Sequence, residues 1–339
     1  MNRRETLLGA AAALAACGPA GGQGPAPPFP MRRGVNLGNA LEAPNEGEWG
    51  YRIEDAHLRA IADAGFDGVR LPVRWDARPG GGTLIQRDLI NRVSEVAGKA
   101  ASLGLFVQID MHHYDAFNDA GPDSEFRQRF LDIWRIIAES YRYASERVFF
   151  EPLNEPNGAH WSAQALRELQ AEVVGVIRES NPERLIVLGP GNWQNIDALR
   201  DWRPPEGENI AVSVHYYEPH AFTHQGAEWL GDDAPTFDRA WGNGDDLSQL
   251  RRHIGAAASW ARQHGYAMQL GEFGVNRAVA LGQRALWTRA VRDACEAEGM
   301  GWCVWDFAGA FPIWDRERGE WIEQMRSVLL DEQSWIHES

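Results

Sequence analysis

The chain reads as a single (β/α)8 barrel, and three observations lead there. From residue 32 onward, short apolar runs alternate with longer amphipathic ones, eight times over about 310 residues with no internal linker. The polar clusters with chemical potential fall at the C-terminal ends of the apolar runs, the face where barrel enzymes keep their active sites. The first run continues as Gly34-Val35-Asn36-Leu37-Gly38-Asn39, without the glycine-rich phosphate turn of a doubly wound open sheet, the rival architecture.

The predicted strands are Arg33–Leu37, Gly68–Leu71, Leu105–Asp110, Val148–Leu153, Leu185–Leu188, Ile210–His215, Ala267–Leu270 and Gly301–Trp305. Each is a short apolar run, of a length suited to a strand covered on both faces. Between them, apolar residues recur at three and four positions, as in Ile133, Ile136 and Ile137, which is helical spacing. The helices expected are Glu54–Ala64, Arg87–Ser102, Glu125–Tyr143, Ala163–Ser180, Asp246–His264 and Gly282–Glu298. Ser162 is the natural cap of the fourth, because its hydroxyl can accept from a first-turn amide. The connection from Trp193 to Asn209 has weak helical content. Pro219 to Asp245 is too long for a tight turn and reads as an elaborated loop over the active face.

The N-terminus is set apart from the fold. Arg3-Arg4 precedes an apolar run that ends in Leu14-Ala15-Ala16-Cys17, too short to span a bilayer as a stable helix. Residues 1–17 therefore read as an export signal with a lipobox-like end, and 18–31 as a flexible linker rich in Gly, Pro and Ala. The catalytic barrel is placed at 32–339. The expected location is the periplasm, outer membrane or cell surface of a bacterium, with membrane attachment only through a lipid on Cys17.

A formal net charge of -15 argues against a nucleic-acid partner, whose binders present basic surfaces. Fifteen tryptophans are many for this length; most should fill the core, and a minority should line a cleft. Cys295 and Cys303 fit no metal motif and read as buried hydrophobes, with a disulfide the weaker alternative.

The chemistry rests on two glutamates. Glu155 follows Phe149-Phe150-Glu151-Pro152-Leu153-Asn154 at the end of the fourth run, and Glu272 closes Met268-Gln269-Leu270-Gly271 at the end of the seventh. A carboxylate pair from distant strand ends suits sugar-bond cleavage, with one group to protonate and one to attack. Arg70 in Gly68-Val69-Arg70-Leu71-Pro72 is the cation that would keep Glu272 ionised; Asp110 and Asp67 are its alternative partners. Asn154 is placed to hold a sugar hydroxyl. Adjacent His112 and His113 on extended backbone point opposite ways, a poor chelating pair, so His112 is read as a hydrogen-bonding group at the cleft. His215 and Tyr217, two apart, share a face; the phenol is suited to donate to the nucleophile, and Tyr216 between them to packing. Trp305 would be the floor beneath the reacting sugar. No metal or other cofactor is implied.

Together these residues resemble glycoside hydrolase family 5, a group of retaining cellulases and mannanases. Arg70, His112, Asn154-Glu155-Pro156, His215-Tyr216-Tyr217, Glu272 within Gly-Glu-Phe-Gly, and Trp305 follow the family's motif order over essentially the whole mature chain. The opening from Gly34 to Pro44, with Glu48-Trp49-Gly50, is similar to a branch acting on both glucan and mannan. The resemblance implies Glu155 as acid/base and Glu272 as nucleophile. It also implies Asn39, Glu42, His113, His224 and Trp229 as substrate contacts. Asp306 stands where that branch often carries Glu. The expected activity is a retaining endo-β-1,4-glucanase, with β-mannan or glucomannan as further substrates. The alternatives are a β-mannanase, a β-1,3-glucanase and a non-catalytic sugar-binding barrel. A metal-dependent barrel hydrolase would need convergent histidines that Val35-Asn36-Leu37 lacks.

Overall fold

The computed structural model describes residues 25–76 and 84–331; the expected export signal and the start of the expected linker lie outside them. Eight parallel strands close into a barrel in chain order, β1 (Arg33–Asn36), β2 (Gly68–Val73), β3 (Phe106–Met111), β4 (Val148–Glu151), β5 (Ile186–Leu188), β6 (Ile210–His215), β7 (Ala267–Glu272) and β8 (Gly301–Val304). Closure is made where Val35 on β1 registers with Val304 on β8. All eight strands sit where the apolar runs place them, with ends shifted by no more than two residues and β6 matched at both ends.

The helices Asp55–Ala64, Arg87–Ser102, Phe126–Ser140, Ala163–Arg178, Gly244–His264 and Leu281–Ala297 return the chain between strands. Ser162 caps the fourth as expected, accepting from the Ala165 amide at 3.2 Å. Between β5 and β6 a short 3-10 turn, Ile196–Arg200, stands in place of a full helix. The long loop after β6 carries the short helix His220–Thr223 and the 3-10 turn Glu228–Asp233.

Apolar side chains divide into two cores. The larger lies between the strands and the helices, where buried Trp75, Trp134, Trp202 and Trp287 supply much of the bulk. The smaller fills the N-terminal end of the barrel interior and consists of Phe29, Met31, Phe149, Val187, Ala211 and Cys303. The linker expected to run to residue 31 therefore ends earlier. Phe29 and Met31 plug the barrel floor, with the Phe29 ring edge-on to Phe149 at 5.7 Å. Gly68 makes the plug possible, because a Cβ there would lie 2.3 Å from the Met31 sulfur. Cys303 belongs to this inner core and Cys295 to the outer one, on opposite sides of the β8 wall, and both are free thiols.

Truncating the plug tests its contribution. Met31→Ala should lower unfolding free energy by about 2–5 kcal/mol, the range for a buried methionine cut to alanine. Activity per folded molecule should be unchanged, since the active face is at the other end. Denaturant titration beside an initial-rate assay reads both; a loss below 1 kcal/mol on the scale of surface substitutions would restore the linker reading.

Candidate active site

Toward the C-terminal end the barrel interior turns from apolar to polar. Arg70, Gln108, Asp110, Glu151, Ser213 and Gln269 are all fully buried there, in a layer between the plug and the open face. Burying so many polar groups is tolerable only when they bond one another. Gln269 donates to Gln108 at 2.8 Å, and Gln108 donates to Glu151 at 2.7 Å.

Arg70 organises the layer above. Its Nε donates to Glu151 at 2.6 Å, and one terminal nitrogen donates to Glu272 at 2.7 Å and to Asn36 at 3.0 Å. The other terminal nitrogen donates to Asn154 at 2.7 Å and lies 2.8 Å from Asp110. The partners posed as alternatives thus share one guanidinium, whose fork can serve several acceptors at once. Asp67 is not among them; it accepts from the backbone amides of Arg32 and Arg33, both at 2.9 Å.

Glu155 and Glu272 meet above this arginine. One oxygen from each carboxylate and one ring nitrogen of His215 lie within 4.8 Å of one another. His215 Nδ1 is 2.7 Å from Glu155, and Tyr217 donates its phenol proton to Glu272 at 2.9 Å. Tyr216, facing away, stacks on Trp287 at 6.1 Å. The strand register explains the assembly, since His215 pairs directly with Glu272 across β6 and β7. Among the described residues, Glu155, His215 and Glu272 are also the grouping that could seat a metal ion. An ion there would occupy both carboxylates.

His112 and His113 depart from the expected geometry. His113 takes a left-handed backbone, φ 54°, so alternation fails and the two rings meet edge to face at 4.6 Å. His112 is 4% exposed, as little as Glu272, and its ring nitrogens are engaged by neighbouring site residues. Nδ1 lies 3.2 Å from Asp110, Nε2 lies 3.4 Å from the Asn154 amide nitrogen, and the ring stacks on Trp305 at 5.4 Å and 8°. Asn154 is thereby fixed with its oxygen toward Arg70 and its NH2 group toward His112.

A family model described as cellulase, glycosyl hydrolase family 5, matches residues 33–310, most of the chain. The chain belongs to glycosyl hydrolase family 5. Endoglucanase H of Acetivibrio thermocellus is 30% identical over 289 residues, covering 82% of this chain but 30% of that protein, so the chain spans under a third of that relative's length. A solved endoglucanase is 38% identical, with a TM-score of 0.85, covering 89% of this chain and 97% of the other. Thermotoga maritima Cel5A, solved in complex with cellobiose and with mannotriose, is 36% identical, with a TM-score of 0.84, covering 88% and 97%. This chain is accordingly a glycoside hydrolase of the retaining kind.

The remaining residues that resemble substrate contacts in the family lie around this centre, at different depths. Asn39, with φ 63°, donates through its amide to Asp306 at 2.5 Å. Glu42 is 1% exposed, and its oxygens accept from the amides of Asn39 and, at 3.0 Å, Ala40. As placed, Glu42 shapes the loop that presents Asn39 and has no surface in the cleft; burial pushes its carboxyl up to about 8. Asp306 is likewise buried, follows Trp305 across a cis peptide, and is pushed up to about 6. His224 packs between Tyr217 and Phe311, and Trp229 beside them is 55% exposed. Trp49 reaches over from the β1 loop to meet His113 edge-on at 5.8 Å.

Sequence reading missed Glu151, Asn36 and Gln194, which touch Arg70 or Glu155 from below, and Gln108, which bonds Glu151. It also missed Phe311. The one signal available was the density of polar residues inside otherwise apolar runs.

Burial pushes the carboxyls of Glu155 and Glu272 up, both to about 7. Arg70 opposes the rise at both, and His215 opposes it most at Glu272. A pair this close titrates in two coupled steps, and between them it holds one proton. Arg70 and the Tyr217 hydroxyl both donate to Glu272 and favour its ionised form, so the shared proton resides on Glu155. The sign follows for kcat/KM. Activity should fall as pH rises through about 7, when Glu155 loses its proton, and should fall again in acid, when Glu272 gains one. Initial rates from pH 3 to 9 read this; a plateau persisting to pH 9 would contradict the assignment of the acid.

Proposed function

We propose that this hydrolase is a retaining endo-β-1,4-glucanase that also accepts β-1,4-mannan or glucomannan. The carrying observation is the separation of the two carboxylates, with oxygens within 4.8 Å. Retaining enzymes place their carboxyl groups about 5–5.5 Å apart, whereas inverting ones leave about 6.5–9.5 Å for a water. Glu272 is aligned to attack the anomeric carbon while Glu155 gives its proton to the departing oxygen. Glu155, now a base, takes a proton from water, which releases the sugar from Glu272.

Action within chains is supported by exposed aromatics on either side of the centre. Trp49 stands beyond β1, and Trp193 and Trp229 stand beyond β5 and β6. A similar solved structure named as a hyperthermophilic endo-β-1,4-glucanase supports a β-1,4-glucan, and the mannotriose complex of the Thermotoga enzyme supports the broader range. For location, Leu14-Ala15-Ala16-Cys17 supports an exported protein lipidated at Cys17.

Hydrolysis of carboxymethylcellulose, glucomannan, mannan and laminarin side by side tests this reading. Expected are a rapid viscosity drop and short oligosaccharides from carboxymethylcellulose and glucomannan. Release of reducing ends from laminarin alone would reassign the enzyme to β-1,3-glucan. Tight binding without any release would leave a sugar-binding protein.

A further inference from the structure

Glu155 stands on unusual backbone. Its φ is 47°, a left-handed conformation that side-chain-bearing residues seldom adopt unless something holds them there. The holding group is the side chain of Gln194, fully buried, whose oxygen accepts from the Glu155 amide at 2.8 Å. Its nitrogen donates at 3.1 Å to one oxygen of Glu151. The other oxygen of Glu151 accepts from Arg70 at 2.6 Å, and Arg70 donates to Glu272 at 2.7 Å. A buried chain of hydrogen bonds thus runs beneath the cleft from one catalytic residue to the other.

The local fold is bent to deliver this side chain. Asn192, Trp193 and Gln194 all have positive φ, at 54°, 57° and 53°, and none is glycine. Gly189 clears the way, since a Cβ there would lie 2.4 Å from the Gln194 amide nitrogen. The Gly189 carbonyl is held at 2.8 Å by Gln170, which in turn accepts from Trp202 at 3.0 Å. Immediately after Gln194, Asn195 pairs with His215, the residue beside the Glu155 carboxylate. Three consecutive left-handed residues are unfavourable, and they persist where surrounding structure over-determines them, often at functional sites.

We infer that Gln194 is a positioning residue for the acid/base: it fixes the Glu155 peptide so that the carboxyl faces the leaving oxygen, and it couples that residue through Glu151 to the arginine serving the nucleophile. This rests on the proposed assignment of Glu155 as the acid. It is separable from that assignment, because wild-type cleavage of both substrates below tests the activity by itself.

The experiment compares kcat/KM for cellotetraose, whose leaving group needs a proton, with that for 2,4-dinitrophenyl β-cellobioside, whose leaving group does not. In Gln194→Met the cellotetraose value should fall about 10–100-fold and the aryl value should stay within about threefold. A purely structural role would lower both alike, and equal losses, or no loss, would overturn the inference. Gln194→Glu keeps the acceptor for the Glu155 amide but sets a second carboxyl against Glu151. It should approach wild-type rates on cellotetraose near pH 5, where that pair can share a proton, and decline as pH rises. If Gln194→Glu loses as much as Gln194→Met at every pH, the amide contact is not what matters. Should the methionine variant not fold, the pH dependence of Gln194→Glu on the two substrates carries the test.

Discussion

Replacing Glu272 by Gln should abolish turnover on every substrate, with a loss on the order of 10⁴-fold or more, as removal of the nucleophile costs other covalent hydrolases. The change is nearly isosteric. A glutamine oxygen can still accept from Arg70, which reaches Glu272 at 2.7 Å, so thermal unfolding should remain cooperative. What disappears is the group that bonds to the anomeric carbon, and no neighbour can replace it. His215 lies 3.7 Å from Glu272 but is already engaged with Glu155 at 2.7 Å. A 2-deoxy-2-fluoro glycoside with a good leaving group should add one sugar mass to the wild type, on the peptide containing Glu272, and none to the variant. Glu155→Gln should behave differently. It should lose about 10²–10⁴-fold on oligosaccharides, since general acid catalysis supplies that much, yet still form the covalent intermediate from activated aryl glycosides. Labelling of Glu155 instead, or an inverted product anomer by NMR, would reverse or refute the roles.

The strands and the outward ends of the site were legible in the sequence, and the layer beneath was not. Glu155 and Glu272 stood out because each closes an apolar run, a position that in a parallel barrel faces one common opening. Glu151 sits in Phe149-Phe150-Glu151-Pro152 and reads equally well as a solvated strand end. Only its contact with Arg70, 81 residues away, reveals it as buried. Gln194 was illegible for a different reason. Its place depends on a left-handed turn through Asn192 and Trp193, and no side-chain pattern announces positive φ without glycine. The same conformational blindness hid the contact between the His112 and His113 rings, since strict alternation fails where His113 turns the chain left-handed. Phe29 and Met31 were lost in a Gly- and Pro-rich context, although their spacing of two just before β1 is the period of a strand edge.

The arginine at the centre of that hidden layer carries the second large effect. Arg70 is fully buried and faces three carboxylates, those of Glu151, Glu272 and Asp110, at 2.6, 2.7 and 2.8 Å. Arg70→Met keeps an apolar stem of similar length but leaves these acids without a counter-charge. Breaking a buried ion pair from one side typically costs about 3–5 kcal/mol, so the variant should unfold at lower denaturant by that amount near neutral pH. The variant's acids would then have folded-state pKa values above their unfolded ones. Such groups bind more protons in the folded state, so stability is greatest in acid and falls as pH rises. The penalty relative to wild type should therefore shrink between pH 7.5 and 5. A penalty independent of pH would mean that Arg70 acts by packing alone. Arg70→Lys keeps the charge but not the planar fork, and cannot span Glu151, Glu272 and Asn154 together. It should regain part of the stability and little of the activity, because Glu272 without its donor holds a proton where it should attack. Equal recovery of both would show that charge, and not geometry, is what the nucleophile requires.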